Sequence, residues 1–445
     1  MRISRIDLWH VRVPLPAPFF PSWIPGHRQT ENRFDLIRLT TRSGLEGWSA
    51  APAMGRERQG LGALLGPYFL GERADDIANV GQRIREMGYL GQRVAWVECA
   101  CWDILGKARG KPVYELLGGE GGSVGLYASS GERRSAASRI EEVQRRVAEG
   151  FSTVKLRVHD DSLEQDLEHI RATRNGVGDA VRLGVDANQA WRVAVIDECA
   201  RWDYARALAF CKEAERLAFE WVEEPLPMDD YEALARLTAA TKIPIAGGEL
   251  NSQGLPEFKG MIERGCYDWY QPDAIFTGGI SGTWAILQHL QSRGATYTPH
   301  TWTNGIGFAV NLQLFAASES RKQGTLLEYP LSPPGWVEEV RDALLTEPWR
   351  HEQGRLALPT RPGLGFEIDR AALRRYGSRF FTATNLRVAV RAVLDRGLAE
   401  ARALGTARRR RLAQREAELA TMQDPALEAL VELAPAPSRE RTPVD

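Results

Sequence analysis

Eight short β-rich runs, each followed by a stretch with the apolar spacing of a helix, recur between about residues 125 and 330. The runs are VGLYA, STVKLRV, RLGVDA, FEWVEEP, IPIAGGE, YDWYQPD, ATYTPH and TLLEYP. The seven intervals between the eight strand ends, from Ala128 to Glu328, average about 29 residues, close to the roughly 31 expected when a barrel of about 250 residues holds eight strand–helix repeats. Parallel strands alternating with helices can also form an open doubly wound sheet. The number and even spacing of the units favour a closed (β/α) barrel.

The segments on either side of the repeats are organised differently. Residues 1–125 read as strands followed by helices, which predicts an α+β domain, with Pro14–Asn32 as a long loop between its opening strands. We assign residues 126–345 to the barrel, so the fold class is α/β. Residues 376–445 are rich in Ala, Arg and Glu and end in a Pro-rich stretch. They predict a helical C-terminal extension with a disordered tail.

Composition argues against several classes of function. The 57 Lys and Arg residues balance 58 Asp and Glu residues, so we expect neither nucleic acid nor a membrane as partner. The longest apolar stretch, Ile306–Ala317, is too short to span a bilayer. Five scattered cysteines without a CxxC pair, and a start without the apolar core of a secretory signal, predict a cytoplasmic protein. The run Arg408–Arg411 could be a nucleic-acid or partner patch, but we favour a solvated helix face, since no aromatic residues interleave with its arginines.

Ionisable residues occupy seven of the eight predicted strand ends. A single Glu at such a position is often a helix-capping or solvated loop residue, but recurrence at one structural position is hard to attribute to capping. Because the active sites of barrels lie at the C-terminal ends of the strands, we expect these side chains to form one site. They are Lys155 with Arg157, Asp186, Glu223, Glu249, Asp273, His300 and Glu328.

Three of these residues predict a metal site. Asp186, Glu223 and Glu249 end the third, fourth and fifth strands, so their carboxylates would meet and repel one another without a cation. All-oxygen ligation with room for water and substrate fits Mg²⁺ better than Zn²⁺. In the alternative interpretation, one or two of them belong to surface salt bridges. Of the neighbouring Glu223 and Glu224 only one should be a direct ligand, and we favour Glu223.

The remaining strand ends predict proton-transfer chemistry. Asp273 and His300 end neighbouring strands, and a carboxylate that accepts from one imidazole nitrogen makes the other a general base; a purely structural histidine is the alternative. Lys155 can hold a substrate carboxylate, or exchange a proton if burial and a metal lower its pKa. Arg157 cannot act as a base. Glu328 could donate or accept at the reacting carboxylate oxygens.

Together these groups suit one task, the removal of a proton next to a carboxylate. The resulting enediolate places two negative charges on one carboxyl group, so positive charge must already be in place, which a metal ion and a lysine provide. The His–Asp pair then supplies the base. Mg²⁺ with a Lys or His base is the general pattern of enolase-type sites, so the mechanism is matched to a known pattern.

Over residues 1–370 the chain resembles the enolase superfamily, in its mandelate racemase-like subgroup. The segments that carry the likeness, in this order and spacing, are AWVECACWDILGKARGKPVYELLGG (95–119), VKLR (154–157), VDAN (185–188), WVEEP (221–225), GGE (247–249), QPDAIFTGGI (271–280), TPH (298–300), LEYP (327–330) and PGLGFEID (362–369). The resemblance implies a capping α+β domain over a modified TIM barrel, with residues 346–375 returning to the cap. It also implies a role for each strand-end residue: Mg²⁺ ligands for Asp186, Glu223 and Glu249, the catalytic dyad for His300 and Asp273, a place beside the substrate carboxylate for Glu328, and the first position of the KxK element for Lys155.

The sequence departs from this family pattern at Arg157, where the racemases carry a second basic lysine. A racemase needs an acid and a base on opposite faces of one carbon, whereas β-elimination needs one base and an acid for the leaving hydroxyl. His300, Lys155 or His159 could supply that acid. We therefore predict a Mg²⁺-dependent dehydratase of a sugar acid, a lyase that forms a 2-keto-3-deoxy acid. The alternatives are a racemase or epimerase of a related carboxylic acid and, less favoured, a catalytically silent binding barrel.

Several further residues are candidates for binding the substrate. Asn188, Gln189, Thr301 and Asn304 offer a polar set suited to a polyhydroxylated chain. The family's cap loop would correspond to about Phe19–Asn32, so its charged and aromatic residues are specificity candidates, although they could equally pack the cap or face water. The substrate-binding set is His159, which could also be only a loop residue, with Asn188, Trp23, His27, Arg28 and Trp302. We also expect a homo-oligomer; the role of the extension is open.

Overall fold

The computed structural model describes residues 1–433. Its strands, in chain order, are β1 (Ile3–Phe19), β2 (Gln29–Thr41), β3 (Glu46–Pro52), β4 (Ser123–Ser129), β5 (Thr153–Arg157), β6 (Arg182–Asp186), β7 (Trp221–Glu223), β8 (Ile245–Gly247), β9 (Trp269–Tyr270), β10 (Thr296–Tyr297), β11 (Leu327–Pro330), β12 (Arg355–Ala357) and β13 (Gly377–Thr384). They form a small antiparallel sheet in the N-terminal region and a larger, mainly parallel sheet in the middle of the chain.

Helices cover both sheets. They are α1 (Leu61–Phe69), α2 (Ile77–Tyr89), α3 (Trp96–Arg109), α4 (Val113–Leu116), α5 (Ala136–Ala148), α6 (Leu163–Val177), α7 (Tyr204–Arg216), α8 (Tyr231–Ala240), α9 (Leu255–Arg264), α10 (Ala274–Thr277), α11 (Gly279–Ser292), α12 (Gly305–Ala317), α13 (Glu319–Lys322), α14 (Glu338–Arg341), α15 (Arg370–Tyr376), α16 (Asn385–Arg396), α17 (Leu398–Leu419) and α18 (Pro425–Leu433). Within residues 1–433, none is both long and apolar enough to cross a membrane.

The N-terminal sheet, here called the cap sheet, has the strand order β13-β1-β2-β3. Its strands bury alternate apolar residues against α1 and α3, because successive side chains of a strand point to opposite faces. Helix α3 approaches β3 closely at Gly47, where a Cβ atom would overlap the carbonyl of Ala100. Glycine at this position therefore permits the close packing of helix and sheet.

The predicted long loop over Pro14–Asn32 is wrong in extent. Strand β1 continues through three prolines to Phe19 and β2 begins at Gln29, so residues 20–28 alone connect them. Proline suggests a strand end because it lacks an N–H, but its fixed φ is compatible with extended backbone where the ladder does not need that donor. The register is irregular between Pro14 and Phe19, where the strand carries these prolines.

The central sheet places its parallel strands in the order β10-β9-β8-β7-β6-β5-β4-β11. The first and last strands of the series, β4 and β11, lie side by side, as closure into a barrel requires. The hydroxyl of Thr298, next to β10, donates to the carbonyl of Leu326, next to β11, at 3.0 Å. The α/β prediction of a cap followed by a barrel-like sheet is confirmed.

The chain returns from the barrel to the cap after β12, which pairs antiparallel with β4. The Leu364 N–H donates to the carboxylate of Asp103 in α3, at 2.9 Å. The Val113 N–H at the start of α4 donates to the carbonyl of Gly363, also at 2.9 Å. The predicted domain bounds remain predictions.

The extension from residue 376 starts differently from the prediction. Its first element is the strand β13, which pairs with β1 and completes the cap sheet, and helices α16, α17 and α18 come after it. This strand of eight residues holds only one charged side chain. It was not predicted, because the residues that follow it have the composition of helices. The predicted disordered tail, from residue 434 onward, lies outside the described residues.

The arginine run of α17 does not form a uniformly solvated face. Arg409 and Arg410 are exposed, but Arg408 donates to the Leu70 carbonyl and Arg411 pairs with Glu72. One turn later Arg415 makes two 2.8 Å bonds to the carboxylate of Asp76. Arg408 and Arg411 of the run, with Arg415, therefore help to attach the extension to the cap.

Candidate active site

The register of the barrel strands places the predicted site residues side by side. Arg157 of β5 lies beside Asp186 of β6, which lies beside Glu223 of β7. Glu249 follows β8 by two residues, and Asp273 and His300 each follow their strands by three. All of these side chains are buried at the C-terminal ends of the strands, and the structure therefore brings the predicted charged residues together.

The ammonium group of Lys155 lies at the centre of this cluster. Its Nζ atom is 2.6 Å from Glu223 Oε1, 2.6 Å from Glu328 Oε1 and 3.7 Å from Asp186 Oδ2. Burial alone would lower the pKa of Lys155, but Glu223 and Glu328 outweigh burial and raise it. Proton exchange by Lys155 would require a lowered pKa, which does not occur here, so Lys155 acts as a fixed positive charge in this arrangement.

Arg157 is held from several sides. Its guanidinium ion-pairs with Asp186, its Nη1 donates to Asn188 Oδ1 at 3.2 Å, and its Nε donates to the Ser130 carbonyl at 2.7 Å. The guanidinium carbon also lies 5.3 Å from the ring centre of Trp23 and 5.7 Å from that of Trp302, within cation–π range. These contacts make Arg157 a second fixed cation of the cluster.

The acidic side chains fall into two groups according to their pKa. Burial would raise the pKa of Glu223, but Lys155 and Arg157 lower it to about 2, and Lys155 likewise lowers that of Glu328. For Asp186, burial dominates over the attraction of Arg157 and raises the pKa to about 8. Burial also raises the pKa of Glu249. The two basic side chains therefore do not supply enough positive charge to keep every carboxylate of the cluster ionised.

Glu224 also belongs to this cluster, although it was not among the predicted site residues. Its backbone lies in the left-handed region with φ 49°, and its buried Oε2 atom has no hydrogen-bond partner within the described residues. Burial, with repulsion from Glu249 and Asp186, raises its pKa well above the usual range. A second glutamate directly after a strand-end glutamate was the available signal, but strand alternation suggested that it pointed away.

The donor set fits a hard divalent cation. Within residues 1–433, no three His, Cys, Asp or Glu side chains are arranged as a ready-made metal site, and Asp186 and Glu223 ion-pair with Arg157 and Lys155 instead. The cluster nevertheless offers several buried carboxylates, of which three have raised pKa values and one has an orphaned oxygen. Oxygen ligands and a shortage of positive charge are what Mg²⁺ would satisfy.

His300 and Asp273 form the predicted pair. His300 Nδ1 lies 3.0 Å from Asp273 Oδ2, and the other oxygen of Asp273 accepts from the Asn311 side chain at 2.7 Å. His300 Nε2 lies 3.6 Å from Glu249 Oε2. Burial alone would lower the pKa of His300, but Glu249 and Asp273 raise it to about 9. The imidazolium form of His300 is therefore favoured in this arrangement.

Both carboxylate oxygens of Glu328 accept hydrogen bonds. Its Oε1 atom accepts from the Ser129 hydroxyl at 2.8 Å, and its Oε2 atom accepts from the Thr301 N–H at 2.7 Å. With the 2.6 Å contact to Lys155, these bonds fix the carboxylate in one orientation.

The predicted substrate contacts are divided between two places. Trp23, His27, Arg28 and Trp302 line one cavity of about 260 Å³ between the cap and the barrel. His159 and Asn188 do not line this cavity. Both contact Ser22 of the cap loop. His159 Nε2 lies 2.8 Å from the Ser22 carbonyl, and the Ser22 hydroxyl donates to Asn188 Oδ1 at 2.5 Å.

Neutral residues that hold the charged ones were not predicted as site residues. Gln271 donates to Glu223 Oε2 at 2.9 Å, Trp191 donates to Glu249 Oε1 at 2.8 Å, and Asn311 and Ser129 hold Asp273 and Glu328. Gln271 stands two residues before Asp273 at a strand end, which was a usable signal. The others carry no charge pattern that would separate them from ordinary core residues.

Comparison with protein-family models gives two matches. Residues 6–118 match the model described as the N-terminal domain of mandelate racemase / muconate lactonizing enzyme. Residues 138–372 match the model described as enolase C-terminal domain-like. Together the two models cover most of the cap and the whole barrel-like sheet apart from its first strand.

Relatives with known activities are similar over most of their own length. The chain is 30% identical to arabinonate dehydratase of Saccharolobus solfataricus over 64% of this chain and 71% of the relative. It is 28% identical to D-galactarolactone cycloisomerase of Agrobacterium fabrum, over 77% and 92%. A crystal structure of L-talarate/galactarate dehydratase from Salmonella typhimurium, liganded with Mg and L-lyxarohydroxamate, superposes with a TM-score of 0.72 at 27% identity, covering 86% of this chain and 94% of that one. Sugar-acid dehydratases, which are lyases, are thus prominent among its relatives, together with a cycloisomerase.

Proposed function

Because the chain belongs to the mandelate racemase / muconate lactonizing enzyme family of the enolase superfamily, we propose that it is a Mg²⁺-dependent dehydratase of a sugar acid. The observation that carries the proposal is the cluster of buried carboxylates, short of positive charge, that faces the His300–Asp273 pair. Relatives that act as sugar-acid dehydratases, one of them crystallised with Mg, support it.

Asp186, Glu223 and Glu249 are the proposed ligands of Mg²⁺. When bound, the ion would supply positive charge to the substrate carboxylate as negative charge develops there. Glu224, buried beside Asp186 and Glu249, has a raised pKa, so it would add negative charge to the site only once a bound ion lowers that pKa. Lys155 provides a second positive charge, and Glu223 and Glu328 hold its ammonium group in a fixed position.

His300 is the proposed base. Its Nε2 atom accepts the proton on the carbon next to the carboxylate, and the electron pair of that C–H bond moves into the carboxyl group to form an enediolate. Asp273 holds Nδ1 and stabilises the imidazolium that results. Neutralisation of Glu249 would release His300 Nε2 from its present attraction and lower its pKa towards that of a base.

Collapse of the enediolate expels the hydroxyl from the neighbouring carbon. The enediolate electron pair forms a carbon–carbon double bond, the C–O bond breaks, and one proton converts the leaving hydroxyl into water. His300, now protonated, can supply that proton, and the enol then becomes a 2-keto-3-deoxy acid. Arg157 favours this outcome over racemisation, because a guanidinium paired with Asp186 cannot serve as a base on the other face of the carbon.

The test is incubation with Mg²⁺ and a panel of sugar acids in D₂O. We expect loss of water from one class of acid, and deuterium in recovered substrate without the epimer, as read by mass and proton spectra. His300→Asn should abolish both exchange and dehydration by removing the base. Epimer formation without loss of water would favour a racemase or epimerase, and turnover in His300→Asn would overturn the assignment of the base.

A further inference from the structure

Ser129 has only one hydroxyl proton, and the structure fixes where that proton goes. The indole Nε1–H of Trp302 donates to Ser129 Oγ at 2.8 Å, and Ser129 Oγ lies 2.8 Å from Glu328 Oε1. An indole N–H can only donate, so the Ser129 oxygen is the acceptor in the first bond. An ionised carboxylate can only accept, so the Ser129 proton points to Glu328. The chain of bonds therefore runs in one direction, from Trp302 through Ser129 to Glu328.

Trp302 is in turn held by residues of the cap. The ring of Phe19, at the end of β1, stacks on Trp302 with 5.7 Å between centroids and 10° between planes. Trp23, in the loop after β1, meets Trp302 edge-on at 5.3 Å, and Trp336 lies 5.4 Å away. These four rings, here called the aromatic cluster, join the cap to the barrel, and Trp302 links them to Glu328 through Ser129.

We propose that Trp302 is a positioning residue that couples the seating of the cap loop to the orientation of Glu328. The inference rests on the proposed function, in which Glu328 holds the ammonium of Lys155 where negative charge develops. When Phe19 and Trp23 pack against Trp302, its N–H is aimed at Ser129, and Ser129 is committed to Glu328. The cap then completes the electrostatics of the site without touching the reacting carbon.

The aromatic cluster contains its own control. The indole N–H of Trp336 is buried but has no hydrogen-bond partner within the described residues. Trp302→Phe and Trp336→Phe therefore make the same chemical change in the same cluster, and only the first removes a donor to the Ser129–Glu328 chain. Thermal unfolding of both variants shows whether packing is equally affected.

The experiment compares the steady-state kinetics of these variants, as Mg²⁺-loaded enzymes, on the best sugar acid of the panel. We expect Trp302→Phe to lower kcat about tenfold with KM changed less than about twofold, because the lost bond acts on the charge that stabilises the transition state. Trp336→Phe, whose ring lines the same cavity as Trp302 but donates no bond to Ser129, should keep kcat within about twofold of the wild type. Equal effects of the two variants, or a change in KM alone, would overturn the proposal.

A second comparison tests whether Trp302 acts through Ser129. Ser129→Ala should lower kcat at least as much as Trp302→Phe, and the double variant should be no slower than Ser129→Ala, since both changes break one chain. Additive losses would contradict the coupling. The proposed function fails separately, if the wild type neither exchanges the proton nor dehydrates any acid of the panel.

Discussion

At the scale of single residues, the position of the Lys155 ammonium group separates the glutamates of the site into those with lowered and those with raised pKa values. Lys155 lies 2.6 Å from both Glu223 and Glu328, and those two carboxylates have lowered pKa values. Glu224 and Glu249 lack such a contact with it, and their pKa values are raised. For these four glutamates the same burial thus has opposite consequences, depending on whether the Lys155 ammonium is within hydrogen-bond distance, whereas at Asp186 burial dominates despite the ion pair with Arg157.

This division predicts opposite effects of two neighbouring substitutions on stability. In EDTA at pH 7, Glu223→Gln should lower the free energy of unfolding by about 1–3 kcal/mol, because it leaves the buried Lys155 charge poorly compensated. Glu224→Gln should be neutral or stabilising, because a carboxylate whose pKa is raised on folding destabilises the folded state at pH values above its unfolded pKa. Urea denaturation measures both, and equal losses would contradict the division.

The sequence predicted which charged residues lie close together but not the directions in which their pKa values shift. Strand-end spacing correctly identified Asp186 and Glu223 as neighbours, and likewise Asp273 and His300, because register follows from the repeat. The raised pKa of Lys155 depends on two carboxylates that are 68 and 173 positions away along the chain. Such distances carry no local pattern, so pKa directions became evident only with the geometry.

At the scale of secondary structure, strands β6 and β7 depend on one small residue. A Cβ atom at Gly184 of β6 would overlap the indole ring of Trp221 in β7, and that indole donates to Glu223 Oε2 at 3.1 Å. Because Gly184 has no side chain, there is room for the ring of Trp221, which helps to hold the proposed metal ligand Glu223.

Gly184→Ala should consequently lower the free energy of unfolding by about 1–3 kcal/mol, the usual effect of overpacking a core. Trp221→Phe in the same background should restore part of the loss, since the smaller ring relieves the overlap. Gly88→Ala is the matched control, because its Cβ would meet no atom within 4 Å. Denaturant unfolding measures all three variants, and the absence of any rescue by Trp221→Phe would show that the loss has another cause.

The pattern of apolar residues located the barrel strands well, even though β9 and β10 are only two residues long. The apolar pattern failed for strands whose existence or length depends on the strand with which they pair. Strand β13 exists because β1 offers it an edge about 370 positions earlier in the chain, with Asp7 opposite Thr382. Likewise, β1 continues through its prolines because β2 runs beside it as far as Gln29.

At the scale of the whole molecule, the C-terminal extension attaches to the first strand of the chain. The family models end at residue 372, before the strand β13 and the helices that follow it. Asp7 of β1 lies where the parts meet: its carboxylate accepts from Arg5 and Arg38 within the cap and from the Thr382 hydroxyl of β13, at 2.6–2.8 Å.

This attachment should depend on pH. Burial would raise the pKa of Asp7, but the bonds from Arg5, Thr382 and Arg38 lower it to about 2. A carboxylate with a lowered pKa stabilises the fold above its unfolded pKa of about 3.9, and this contribution is lost as the pH falls towards 2. Asp7→Asn should therefore lower the free energy of unfolding by about 2 kcal/mol at pH 7, and by less below pH 4. Urea denaturation at pH 7, 5 and 3 measures the difference, with the exposed Asp229→Asn as control. A difference that stays constant down to pH 3 would show that the charge of Asp7 does not fasten the extension to the cap.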